Sequence, residues 1–434
     1  MASGGTRTDL SALGLHTDAY ELTMLDAALD SGVADLPAVF EVFARALPRG
    51  YGYGVFAGTG RLADALARFR FDDAQLDYLV ATGMLRAATI DRLASYRFSG
   101  RVDAYREGEM FFPFSPVLSV EASFGDAVVL ETLLLSILNH DSAVASGASR
   151  MVDAAAGRPL IEGGGRRTHE EAAVAAARAA YLAGFASTSN LEAAARYGLP
   201  TAGTAAHAFV LAYDSEREAF AAQVAAQGPG TTLLVDTFDI AQGIRAAVEV
   251  AGPGLGAVRI DSGDPLVEVP RARLLLDELG ARAARIVVSG DLDEHAIDRL
   301  ASVPADAFMV GTRVVLAPTP GFVYKLVAVS GRASHDARLR PVAKRSTGKA
   351  TTACPKRAFR VPGPDGYATA EHLVVDDRDV AGRPLQTRLM EDGEPVDVAS
   401  LDETRAHAIA ARAELAPSAR RADATGPALV ATVV

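Results

Sequence analysis

Cysteine is almost absent from this chain. Cys354 is the single thiol among 434 residues. One thiol makes neither an internal disulfide nor a cysteine zinc cage, so the sequence reads as a reduced, cytoplasmic protein. Long apolar runs are missing too. None reaches the roughly 18 residues of a membrane span. The opening stretch MASGGTRTDLSALGLHTDAY has neither a continuous apolar core nor a cleavage signature. Positive charge is in deficit, with 43 Lys and Arg against 54 Asp and Glu and a net charge of −11. That argues against a bulk electrostatic grip on nucleic acid or an anionic membrane. Any bound anion must be held by a local site against the global field. Lysine is scarcest of all. Lys325, Lys344, Lys349 and Lys356 are the whole supply, and they share one 32-residue window. Either those places need a compact ammonium rather than a planar fork, or the window is a solvated basic loop.

What is present is ordinary globular composition, 49% apolar and 22% charged. At about 150 residues per domain the length suggests two to three domains. Residues 1 to about 8 read as frayed. Helical spacing of Tyr20, Leu22, Met24, Leu25, Ala28 and Leu29 predicts a helix from Asp18 that ends at Gly32. A strand (AVFEVFARAL), a glycine-rich turn (PRGYGYGVFAGTG) and a helix through LADALARF follow. Residues 97–130 alternate with Gly and Pro punctuation and read as short strands of a separate unit. A helix from about Val129 to His140 then opens a different pattern.

From about 150 to 330 apolar segments alternate with amphipathic helices. The segments end in GTAAH (203–207), LLVDT (233–237), AVRIDSGD (257–264), RIVVSGD (285–291) and AFMVGT (307–312). Apolar runs with polar or glycine ends, each followed by a helix, are the pattern of parallel strands covered on both faces. The fold class is therefore α/β: an irregular, TIM-like parallel α/β barrel. A second α+β domain is built from the N-terminal and C-terminal segments. The expected boundaries are 1–128, 129–345 for the barrel, and 346–434 for a segment returning to the first. Function belongs at the C-terminal strand ends of such a barrel.

Those ends carry the candidate chemistry. In RIDSGD, Arg259 and Asp261 suit a sugar phosphate, with Ser262 and Gly263 beside them. Carboxylates accept from ribose hydroxyls or hold Mg2+, and glycine lets amides approach phosphate. Asp264-Pro265 also reads as a helix N-cap with proline at N1, which leaves Asp261 spare. SGDLDE (289–294) and VGT (310–312) repeat the glycine corner. GTAAH sets His207 after a strand end, as a base, ligand or phosphate acceptor, or as a structural histidine. No histidine pair has zinc-site spacing, and no metal ligand is assignable. GGGRRTHEE (163–171) offers arginine forks before a helix, or a flexible loop. Tyr20 is a stacking surface or a helix core residue.

Together the motifs resemble the nicotinate phosphoribosyltransferase family, in its actinobacterial form. The resemblance rests on TDAYELTM (17–24), RR-T-H-E (166–170), F-x-x-x-SN (185–190), YGLPTAGTAAH (197–207), LLVDT, RIDSGD, SGDLDE, VGT and YKLV (324–327), in order across about residues 15–360. It implies conversion of nicotinate and phosphoribosyl pyrophosphate to nicotinate mononucleotide and pyrophosphate, in NAD biosynthesis. It also implies coupling to ATP through a phosphohistidine, Mg2+, and a homodimer with shared active sites. His207 matches the phosphorylated histidine, and Tyr20 the ring-covering aromatic supplied by the neighbouring subunit. Arg166, Thr204 and Arg259 match the nicotinate pocket, and Asp261 the ribose-diphosphate position. Gly290, Gly311 and Thr312 match the surroundings of the 5-phosphate. One departure stands out: Gly163 lies where relatives carry an aromatic or large apolar residue.

The nicotinamide-using relative is the nearest rival. It places an acidic residue near Ser189, whereas Ser189-Asn190 does not repel a carboxylate. Quinolinate phosphoribosyltransferases share the barrel logic but are shorter. A sugar-phosphate aldolase or isomerase needs a Schiff-base lysine, for which Lys325 is the candidate. A non-catalytic scaffold leaves the polar strand ends without a reason. The loop KRSTGKATTACPK (344–356) has the composition of a mobile lid over phosphates. Cys354 within it has no assigned role.

Overall fold

The first helix shows how local chemistry sets the elements. Ala19–Ser31 begins after Asp18 and stops at Gly32, whose φ of 71° closes the helix with backbone bonds to Ala28 and Leu29. In this computed structural model the described residues are 12–331, 338–376, 378–396 and 399–434; the frayed-terminus expectation for residues 1 to about 8 lies outside them. The chain divides into two compact units. One comprises residues 1–142, 319–419 and 426–434, and the other residues 143–318 and 420–425.

The first unit is built on a seven-stranded antiparallel sheet. Its order is Leu339–Pro341, Phe322–Ser330, Pro37–Ala44, Leu118–Ser123, Arg101–Tyr105, Gln386–Glu391 and Glu394–Pro395. Two of the strands within 97–130, Arg101–Tyr105 and Leu118–Ser123, are therefore part of this sheet rather than of a separate unit, while Met110–Phe111 pairs with Gly54–Val55. Phe322–Ser330, which holds YKLV, pairs with Pro37–Ala44 rather than joining the parallel strands. Phe40 stacks on Tyr324 across that pair, with ring centroids 4.7 Å apart. A four-stranded sheet follows, formed by Arg383–Pro384, Arg357–Pro362, Ala368–Val374 and Ala431–Val433. The helix Leu401–Ala413 opens with a capping box between Ser400 and Glu403.

Glu109 is completely buried in this unit. Arg383 donates to both its oxygens at 2.7 and 3.2 Å, Arg360 reaches it at 3.4 Å, and the His407 ring lies 3.2 Å away. Burial alone would raise its pKa; His407 and the two guanidiniums overcome burial and hold it at about 2, against an ordinary 4.5. A carboxyl depressed on folding stabilises fully above its unfolded pKa and loses that stabilisation as pH falls through the folded value. About 3 kcal/mol is expected to disappear between pH 4.5 and 2. Denaturant unfolding across that range checks it, and Glu109→Gln is expected to flatten the acid limb by the same amount.

The second unit carries a six-stranded, all-parallel sheet. Its order is Ser187–Thr188, Leu160–Glu162, Ala307–Val310, Arg285–Val288, Ala257–Ile260 and Thr232–Leu234. Leu233, Val258, Ile286, Val288, Phe308 and Val310 are fully buried, as strands covered on both faces require. The helices between them are capped by Ser215, Asp239, Asp264 and Asp293. Fold class is thus mixed α/β with a parallel sheet. Among the described residues the end strands are not paired to each other, so the structure gives a six-stranded parallel sheet, and the irregular, TIM-like barrel expected from the sequence goes beyond it. Thr201 makes a single bridge to Thr188 and no strand follows, so GTAA is irregular backbone that leads into the helix opened by His207, rather than a strand end. The helix expected over 129–140 runs much further, from Glu131 to Ala155. Among the described residues, no helix is long and apolar enough to cross a membrane.

Candidate active site

Arg259 organises the C-terminal edge of the parallel sheet. It projects from the Ala257–Ile260 strand, and its side chain is 14% exposed. Its Nε donates to Ser289 Oγ at 2.9 Å, Nη1 to Thr204 Oγ1 at 2.9 Å and Nη2 to Asp261 Oδ1 at 2.7 Å. One planar fork thereby fixes side chains from three separate segments. The Ser289 hydroxyl also donates to Asp261 Oδ1. Partial burial pushes the Asp261 carboxyl up, but Ser289 and Arg259 more than offset it and hold the group below the ordinary carboxylate range. Asp261 therefore stays ionised at neutral pH, ready to accept hydrogen bonds.

Asp236 supports it from behind. Its Oδ2 accepts from the Asp261 amide at 2.9 Å and from Ser262 Oγ at 2.7 Å. His207 opens the short helix His207–Val210. Its Nδ1 lies 3.2 Å from Thr237 Oγ1, and its Nε2 lies 3.9 Å from Asp261 Oδ2. The ring is thus held on one nitrogen while the other faces the carboxylate.

Arg259, Thr204, Ser289, Asp261 and His207 line one cavity of about 840 Å³. Arg166, Thr204, His207, Arg259, Asp261, Gly290, Gly311 and Thr312 all border it. Two arginines, Arg166 and Arg167, enter from the loop after Leu160–Glu162, next to Ser189 and Asn190. Asn190 is committed to capping the helix Leu191–Tyr197, accepting from the Ala193 amide at 3.0 Å. Gly290 needs to be glycine on two counts: its φ is +99°, and a Cβ there would collide with the Asp261 carbonyl. The bare backbone keeps the strand corner close to Asp261.

Two predicted residues are not at this cavity. Ser262 turns away because Asp236 captures its hydroxyl, and it borders a separate hollow with Asp239 and Glu268. Tyr20 belongs to the first unit, on the helix Ala19–Ser31, where it is 46% exposed. Partial burial together with Glu131, Glu21 and Asp18 raises its pKa, so the phenol keeps its proton. Sequence reasoning missed Asp236, Thr237 and Ser289 as contributors. Asp236 and Thr237 stand in LLVDT, directly after a strand, and Ser289 begins SGDLDE; the same strand-end position that singled out Asp261 marks them.

Comparison with known proteins agrees with this geometry. Residues 15–139 match the family model described as the nicotinate phosphoribosyltransferase (NAPRTase) N-terminal domain. The chain is 53% identical over 412 residues to nicotinate phosphoribosyltransferase pncB1 of Mycobacterium tuberculosis (strain ATCC 25618 / H37Rv), covering 90% of this chain and 89% of that one. It is 37% identical to nicotinate phosphoribosyltransferase of Bacillus subtilis (strain 168), covering 81% and 73%. The crystal structure of human nicotinic acid phosphoribosyltransferase superposes with a TM-score of 0.82 at 26% identity, covering 96% and 97%. With these similarities spanning nearly the whole chain, and the motif residues lining a single cavity, the chain belongs to the nicotinate phosphoribosyltransferase family.

Proposed function

We propose that this cavity is where nicotinate and phosphoribosyl pyrophosphate react, giving nicotinate mononucleotide and pyrophosphate in NAD biosynthesis. The observation that carries the reading is the Arg259 hub, which ties Thr204, Ser289 and Asp261 together beside His207. The pyridine nitrogen is already nucleophilic and needs no strong base. It attacks the anomeric carbon as the bond to pyrophosphate breaks, and charge on the sugar approaches that of an oxocarbenium ion. Positioning and fixed charge then supply most of the acceleration. Arg166 pairs with the nicotinate carboxylate, and Thr204 and Arg259 border the pyridine. Asp261 accepts from the ribose hydroxyls. Gly290, Gly311 and Thr312 present backbone and hydroxyl donors to the 5-phosphate.

The lining favours an acid over an amide. Arg166 and Arg167 enter next to Ser189 and Asn190, and no carboxylate stands at those two positions. The aldolase reading loses its lysine. Lys325 lies on the antiparallel sheet of the first unit, bound to Glu131 at 3.2 Å.

Among the described residues no cluster of three or more metal-ligating side chains is gathered. The donors that are present suit Mg2+ arriving with the substrate phosphates, the mode in which one or two carboxylates suffice. Asp261 would hold it, backed by Asp236, whose Oδ1 is buried with no hydrogen-bond partner. The ion would neutralise charge on the pyrophosphate leaving group.

His207 takes the terminal phosphoryl group of ATP with release of ADP, the added negative charge tightens the site, and hydrolysis of the N–P bond to inorganic phosphate restores the imidazole. The protein acts in the cytoplasm as a homodimer, with the partner subunit's Tyr20 covering the pyridine. The parallel sheet, with its bridge at Thr201, is read as part of an irregular barrel. Incubation with γ-labelled ATP is expected to leave an acid-labile label on the wild type and none on His207→Ala, whose turnover no longer responds to ATP. An unlabelled wild type with an ATP-independent rate overturns the phosphohistidine. No pyrophosphate release with any pyridine overturns the activity.

A further inference from the structure

Polar and apolar surface line the cavity in nearly equal parts. Among the described residues that line it, none is Phe, Tyr or Trp. Its large apolar side chains are Leu191, Leu234 and Met309. Leu191 is 74% exposed, and Leu234 is 1% exposed within its strand. Met309 lies between these extremes, half-buried. With the partner subunit's Tyr20 covering one face of the pyridine, the ring can still tilt unless its other face also meets apolar contact.

Met309 sits where such contact is required. Its strand pairs in parallel with Leu160–Glu162, setting Met309 opposite Ile161 and Val310 opposite Glu162. The Gly163 amide continues that ladder by donating to the Val310 carbonyl at 2.8 Å. A Cβ built on Gly163 would lie 2.5 Å from Met309 Cε and 3.2 Å from its Cγ. The thioether thus lies across the bare backbone of Gly163 and fills the volume that any side chain at that position would claim. Arg166 follows three residues later, on the same cavity wall.

We infer that Met309 supplies the apolar face on which the pyridine ring of nicotinate rests, and that Gly163 is glycine so that Met309 can reach it. The inference rests on the cavity being the nicotinate site. An unbranched, polarisable thioether suits the task, because sulfur makes favourable contacts with aromatic rings and adapts to their shape. Met309 then sets ring orientation while Arg166 holds the carboxylate. Positions 163 and 309 form one unit: a bulky residue fits at either, not at both.

Steady-state kinetics with each substrate varied separately tests this. Met309→Gly is expected to raise KM for nicotinate about tenfold and to leave KM for phosphoribosyl pyrophosphate within about twofold. Met309→Leu, which keeps the volume without the sulfur, is expected to raise it only about twofold to threefold. Gly163→Phe alone forces a ring into Met309 and is expected to be worse than either. Gly163→Phe with Met309→Gly is expected to return KM for nicotinate to within about threefold of the wild type, since a ring from position 163 refills the shared space. In a protein carrying methyl-labelled methionine, nicotinate is expected to shift the Met309 methyl resonance, identified by its loss in Met309→Leu. An unchanged KM for nicotinate in Met309→Gly overturns the inference. So does an equal rise for both substrates, a failed rescue in the double variant, or a methyl resonance unmoved by saturating nicotinate. Failure of the underlying reading looks different: the wild type itself then releases no pyrophosphate in the presence of nicotinate.

Discussion

Arg259→Ala is expected to lower kcat/KM for nicotinate by about a hundredfold to a thousandfold, the usual cost of removing a preorganised charged donor from an active site. The guanidinium reaches Thr204, Ser289 and Asp261 at once, so its loss releases side chains from three segments. Arg259→Lys is expected to recover less than about tenfold, because one ammonium cannot reproduce a planar three-way fork. A pH profile separates this from simple unfolding. Asp261 is held below the ordinary range against its own partial burial, with Ser289 and then Arg259 responsible. A carboxyl with a lowered pKa supports activity down to that pKa. Without Arg259 the pKa rises, and the acid limb of kcat/KM moves to higher pH. A variant within about threefold of the wild type, with its acid limb unmoved, would remove Arg259 from the centre of the site.

The parts of this site legible in the sequence are those written in local chemistry. RIDSGD combines an apolar strand, a charged end and an Asp-Pro cap within eight residues, and Asp264 does accept from the Leu266 amide. Gly32 marks a helix end for the same reason. Long-range pairing leaves no such mark. Phe322–Ser330 has the apolar look of a parallel strand, yet its partner is Pro37–Ala44, nearly three hundred residues earlier. The helix Glu131–Ala155 outruns its predicted end near His140 because Asp141, Ser142, Ser146 and Ser149 make its middle look polar, although all four are buried. Ser142 accepts from the Ala57 amide, a contact that no periodicity reveals. The sheet after Lys356 was hidden in the same way. Arg360 and Glu371, 3% and 0% exposed, face each other at 3.3 Å inside it, and buried charges in a strand read as loop.

The confinement of lysine to one window has a structural answer at one of its four positions, and it yields the largest expected effect on stability. Lys356 Nζ lies 2.6 Å from Glu41 Oε2, with the two side chains 6% and 0% exposed. The Lys356 amide donates to Glu41 Oε1 at 2.7 Å, and Nζ also donates to the Cys354 carbonyl at 2.8 Å. A compact ammonium meets this carboxylate and a carbonyl together inside the first unit. Lys356→Met is expected to destabilise the protein by about 3–5 kcal/mol, the cost of leaving a buried charge without its partner. Glu41→Leu with Lys356→Met is expected to regain most of that loss, since two apolar groups leave nothing uncompensated. Lys356→Arg is expected to cost about 1–3 kcal/mol through overpacking. The pH dependence carries a definite sign. Burial raises the Glu41 pKa, and Lys356 is what opposes it. In Lys356→Met the folded-state pKa rises further above the unfolded value. The penalty relative to the wild type is then smallest below about pH 4.5 and grows as pH climbs toward neutral. Denaturant unfolding of the four proteins from pH 4 to 8 measures both effects. A Lys356→Met variant as stable as the wild type at pH 8, or a double variant no better than the single one, would show that the pair is not what holds this strand.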